Sequence, residues 1–79
     1  MTVYAIYEAG LYDNDLADWR GTIGEALDLA RAFASVGLES EIMRFDNDDL
    51  AWDHTIYVDI DGKAWSDDPS ARAEMGCIQ

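Results

Sequence analysis

Three groups of aspartate punctuate the chain: Asp13, Asp15 and Asp18; then Asp46, Asp48, Asp49 and Asp53; then Asp59, Asp61, Asp67 and Asp68. Carboxylates grouped in this way can ligate a hard cation, exchange protons with a substrate, or stand in for phosphates. The cation reading is the easiest to check. An EF-hand needs oxygen ligands at alternate positions, a glycine at the sixth and a glutamate at the twelfth. Asp59-Ile60-Asp61-Gly62 imitates the middle of that loop, but Tyr57 stands where the first aspartate belongs and Asp68 where the glutamate belongs. No metal is expected there, and an irregular calcium site is a minor alternative. Acid–base chemistry needs a matched pair of carboxylates, yet with 17 Asp and Glu in 79 residues some pair is always close.

Other chemistry is equally thin. His54 is the single histidine and Cys77 the single cysteine, too few for zinc. His54 reads as a polar residue at a strand end. Ser35, Ser40, Ser66 and Ser70 lack a nucleophile-elbow context. Gly21 and Gly24 follow no strand directly and precede no lysine, so they are not a phosphate loop. No catalytic residues and no cofactor are expected, and the chain is not expected to be an enzyme.

Phosphate imitation remains. Duplex DNA carries one charge per ~1.7 Å of axis, and a folded surface bearing carboxylates at similar density suits a groove lined by Lys and Arg. Carboxylates against arginine forks form short, charge-assisted hydrogen bonds, and opposite charge speeds the encounter. The candidate partner-binding residues are therefore Asp13, Asp15, Asp18, Asp46, Asp48, Asp49 and Asp53, with Trp52 as a packing anchor. For any single aspartate a solvated surface is the simpler reading. For Trp19 and Trp52, each within an acidic stretch, pinning that stretch to the body is simpler than anchoring an interface, although Trp dominates binding hot spots.

The composition sets bounds on all of this. Residues 1–79 suffice for one small domain, with a formal charge of −12 and 49% hydrophobic residues. That apolar content separates the chain from a disordered acidic tail. A lone cysteine permits no intrachain disulfide. No basic stretch followed by an apolar run opens the chain, and no apolar run has membrane-spanning length. A cytoplasmic protein, within a host cell's cytosol, is expected. Its charge is repelled by anionic lipid and by bare nucleic acid, so neither a membrane nor direct nucleic-acid contact is expected.

The elements that must position these residues follow from local pattern. Thr2–Glu8 is β-branched and aromatic, apolar on both faces, and reads as a central strand. Ala9–Gly21 reads as a long loop. Thr22 and Glu25 have capping-box spacing ahead of Ile23, Ala26, Leu27, Ala30, Phe33 and Ala34 at helical period, with Gly37 as the stop. Leu38–Phe45 reads as a second strand. Asp46–Asp53 reads as an acidic loop held by Leu50 and Trp52, and His54–Ile60 as a third strand with Ile56, Val58 and Ile60 inward. Asp61-Gly62 predicts a two-residue hairpin turn that sets Val58 opposite Trp65 on a fourth, edge strand at Lys63–Ser66. Pro69 ends that strand, and Ser70–Gln79 is expected to form at most one weak helical turn. The result is an α+β domain, one helix packed on a small, mainly antiparallel sheet in the order β-α-β-β-β, whose other face carries Glu39, Glu41, Tyr57 and Asp59.

In character the whole chain resembles small phage anti-defence proteins, the anti-CRISPR proteins and antirestriction DNA mimics. It shares their short length, single domain, strong acidity at Asp13–Asp18 and Asp46–Asp53, and lack of a catalytic set. The run from Val3 to Asn14, with Tyr12-Asp13-Asn14, is similar to the opening strand and Tyr-Asn-Asn turn of antirestriction proteins. The resemblance carries no diagnostic motif and assigns no individual residue. It implies a stoichiometric inhibitor whose partner is a basic nucleic-acid-binding protein or a CRISPR effector complex. The alternative is a small non-enzymatic protein-binding adaptor whose acidity is incidental. A halophile domain, acidic for solubility, is a third reading.

Overall fold

The computed structural model describes residues 1–8, 15–52 and 54–76, with the backbone alone at 15–17. Thr2–Glu8 forms β1, Asp15–Arg20 β2, Ile23–Ala34 α1, Ser40–Asp46 β3, Asp49–Leu50 β4, Ile56–Val58 β5, Ala64–Trp65 β6 and Pro69–Gly76 α2. The strands make one sheet in the order β2-β1-β3-β5-β6, with β4 also paired to β3 and every pairing antiparallel. The α+β class and the helix-on-sheet arrangement follow the sequence pattern. β1 lies between β2 and β3, the interior place that its two apolar faces require.

Local chemistry explains the main helix. Thr22 sits at φ −134°, and its Oγ1 accepts from the Glu25 N–H at 3.2 Å. The same hydroxyl donates to Glu25 Oε1 at 2.9 Å, so the glutamate closes the cap through the threonine side chain. At the other end Gly37 adopts φ +84°, and the Gly37 and Leu38 N–H groups donate to the Ala34 and Phe33 carbonyls. These are the paired bonds of a Schellman stop, which favours glycine in the left-handed position.

Four expectations are corrected. The stretch expected as a loop from Ala9 to Gly21 contains β2. Leu16 pairs with Tyr7 and Trp19 with Ala5, a three-residue spacing against a two-residue one, because the register shifts between Ile6 and Tyr7. This bulge breaks the period-two pattern by which a strand is recognised. The acidic loop is a tight hairpin: Asn47 at φ 50° and Asp48 at φ 70° make the turn, and Asp46 and Phe45 pair with Asp49 and Leu50. Positive φ at both central residues is the type I′ signature, which Asn and Asp tolerate better than other side chains.

Third, the register of β5 with β6 differs from the expected one. Asp61-Gly62 belongs to a three-residue connection, in which the Gly62 N–H donates to the Asp59 carbonyl and the Asp59 N–H to the Lys63 carbonyl. The Asp59 carboxylate accepts from the Asp61 and Lys63 N–H groups and holds the turn. Val58 therefore pairs with Ala64, and Tyr57 with Trp65. The third strand is reduced to Ile56–Val58, and Ile60 leaves the ladder to stand exposed. Fourth, the tail forms α2 from Pro69. Asp68 caps it, accepting from the Ser70 N–H at 2.8 Å and the Ala71 N–H at 3.4 Å, with proline at the first helical position.

Both helices pack on the same side of the sheet. Tyr4, Ile6, Ile42, Ile56 and Val58 form a core with Ala26, Leu27 and Ala30 of α1 and Ala71 and Met75 of α2. Arg44 fastens α2 to this side by its ion pair to Glu74 and is itself held by Asp46 on its own strand, and the Tyr4 hydroxyl donates to Glu74 at 2.5 Å. Burial raises the Tyr4 pKa, against the opposing pull of the Arg44 guanidinium.

Candidate functional site

Among the described residues, the expected phosphate surrogates fall at different ends of the sheet. Asp13 and Asp53 lie outside the described residues, and Asp15 is described by its backbone alone. Asp15 pairs with Glu8 at one end of β1, and Asp46 pairs with Thr2 at the other. At ~3.4 Å per residue these ends are about 20 Å apart. Asp18 is ion-paired to Arg20 at 2.6 Å, and the Arg20 and Trp19 N–H groups hold its carboxyl below the usual range. Asp46 is likewise held low, first by the Thr2 hydroxyl at 2.7 Å and then by Arg44. Asp48 and Asp49, at the tip of the β3–β4 hairpin, are exposed.

Trp52 does not stand out as an interface anchor. It is 3% exposed. The backbone at Ala51 donates to the Arg44 carbonyl, which draws this segment along β3 between β4 and β5. The indole then lies 6.0 Å from the Tyr4 ring and closes a small cavity with Met43, Leu50, His54 and Thr55. Its role is to pin the chain after the hairpin onto the body.

The surface that strand alternation assembles is the sheet face opposite the helices. It was expected to carry Glu39, Glu41, Tyr57 and Asp59. By alternation it also presents Val3 and Tyr7 of β1, Trp19 of β2, Met43 and Phe45 of β3, Leu50 of β4 and Trp65 of β6, with Ala5 of β1 buried beneath them. Trp19 is 45% exposed, Leu50 50% and Trp65 48%. Their rings are ordered in two groups. Trp19 and Phe45 are tilted with centroids 5.9 Å apart, above a depression of about 400 Å³ that Val3 and Asp48 also line. Tyr57 and Trp65 are stacked at 4.7 Å beside a second depression of about 270 Å³ edged by Glu39, Glu41 and Asp59. Burial pushes the Glu41 carboxyl above its ordinary range.

Four of the five cations lie off this face. Arg20 and Arg44 alternate to the helix side and enter ion pairs there. Arg31 and Arg72 belong to the helices, while Lys63, opposite Asp59 and two residues before Trp65, falls by alternation on this face at its edge. The face was partly legible, since Val3, Ala5 and Tyr7 share one parity and Met43 and Phe45 another. Joining them needed the register of β1 with β3, and placing Trp65 needed the three-residue turn. Among the described residues no three His, Cys, Asp or Glu side chains converge as metal ligands. Comparison with protein-family models, characterised proteins and solved structures finds no match.

Proposed function

We propose that this chain is a stoichiometric inhibitor that occupies the basic nucleic-acid groove of a partner, in the manner of a DNA mimic of the anti-CRISPR kind. One observation carries this reading. The fold commits Arg20 and Arg44 to internal ion pairs, while Glu25, Asp28, Glu39, Asp48, Asp49 and Asp67 are exposed around the body. A compact body with −12 of formal charge and these carboxylates outward is complementary to a groove built for phosphate. A second reading, a protein-binding adaptor, is favoured by the exposed Trp19 and Trp65.

The test is a capture experiment with the intact chain immobilised in a nuclease-treated bacterial lysate at low salt. The expected partner is a nucleic-acid-binding protein that duplex DNA displaces and high salt elutes. Expression of the chain should also restore transformation by a targeted plasmid in cells with active CRISPR interference. Asp48→Asn with Asp49→Lys should weaken both effects; Asn keeps the left-handed turn, and Asp46 is left alone because Thr2 and Arg44 depend on it. A captured partner that DNA does not displace would turn the reading to the adaptor.

A further inference from the structure

We infer that the sheet face opposite the helices is a docking surface for an arginine-bearing, partly apolar segment of a cationic protein. The inference rests on the reading of a basic partner and adds the surface and the chemistry it takes.

Trp19, Leu50 and Trp65 are each about half exposed on one side of one sheet. Apolar side chains gathered on one face, here in the Trp19–Phe45 and Tyr57–Trp65 groups, mark an interaction site more often than residues scattered singly. Trp and Tyr are also the residues that concentrate binding energy.

Charge then selects the occupant. Glu39, Glu41 and Asp59 edge the stacked Tyr57–Trp65 pair, and Asp48 edges the Trp19–Phe45 pair. A guanidinium can lie flat on an indole face and donate to a neighbouring carboxylate, a combination that suits arginine better than lysine. A second copy of the chain would bring another −12 against the same rim, a like-charge juxtaposition that opposes association. Anionic lipid and nucleic acid are disfavoured on the same ground. A cationic protein segment with apolar side chains between its arginines satisfies both components of the face.

The three tryptophans provide the readout, since Trp19 and Trp65 lie on the face and Trp52 is buried away from solvent. The intact, nitrogen-15-labelled chain is titrated with a short synthetic peptide of arginine and leucine in equal number, and the three indole N–H signals are followed by NMR. The expected result is saturable movement of the Trp19 and Trp65 signals with Trp52 unchanged. Replacing the leucines of the peptide by serine, or using the chain variant Trp19→Ser with Trp65→Ser, should weaken binding by about tenfold. The wild-type titration stands by itself if that variant fails to fold. Shifts confined to the hairpin tip or the helices, or no binding at all, would overturn the inference. So would indole signals that move with protein concentration alone, which would make a second copy the occupant. If the chain competes with DNA for a basic protein while both indoles stay fixed, this inference fails and the proposed function stands. If the indoles move but DNA is never displaced, the reverse holds.

Discussion

Glu41 holds a charge within an aromatic face, paired in register with Tyr7 on one side and Tyr57 on the other. Burial raises its pKa, so the folded chain binds its proton more tightly than the unfolded chain does. Above that raised value the ionised carboxylate costs stability, and the cost is relieved as pH falls through it. Asp46 and Asp18 act in the opposite sense. Thr2 and Arg44 depress the first, Arg20 and the Trp19 N–H the second. Their contribution is present above the ordinary aspartate range and is lost as pH falls through their lowered values. Thermal melts should therefore show stability rising on mild acidification from neutral pH and falling again on stronger acidification. Glu41→Gln should melt higher than wild type at neutral pH and flatten the rising limb. If both proteins have the same pH profile, the rise belongs to general repulsion among the carboxylates and not to this residue.

The element most dependent on one side chain is α2. Asp68 is 5% exposed and accepts from the N–H groups of Ser70, Ala71 and His54, so it caps the helix and ties it to the segment before β5. Asp68→Ala should cost about 1–2 kcal/mol in urea unfolding. Hydrogen exchange should show the amides of α2 beyond Pro69 losing protection first while those of β1 and β3 keep theirs. Equal loss across the sheet would mean that α2 and the sheet open as one unit. This helix also shows where the sequence was legible. Thr22, Glu25 and Gly37 announce α1 because capping and left-handed stops are local signals. Asp68-Pro69 is an equally local helix start, but proline also ends strands, and the strand reading took precedence there. β2 was hidden by its bulge, and the place of Trp65 by a one-residue difference in turn length. Of the candidate site, the acidity and the aromatic content were readable. The face they share was not, because it depends on pairings between residues distant in sequence.

At the scale of the whole molecule, compactness and charge are in opposition. The radius of gyration is 11.4 Å, close to the roughly 12 Å of a well-packed chain of this length, yet the body carries −12 of formal charge. Self-repulsion weakens so small a fold, whereas attraction to a cationic partner depends on the same unscreened field. Salt must therefore move the two properties in opposite directions. The screening length is ~10 Å at 0.1 M and ~3 Å at 1 M, and the body is 30 × 25 × 21 Å across its axes. Most of the stabilisation should thus arrive by about 0.1–0.2 M, once charges on opposite sides no longer sense each other. Over the same series, affinity for the arginine–leucine peptide should fall on the order of tenfold. Urea midpoints and peptide titrations in matched buffers measure both. A fold that forms only near molar salt would identify the acidity as a solubility device of a halophile. Affinity that holds steady while stability climbs would assign the contact to Trp19, Leu50 and Trp65, making the charge incidental to binding. Opposed slopes, with the chain folded throughout, are the outcome that the acidic rim around an aromatic face requires.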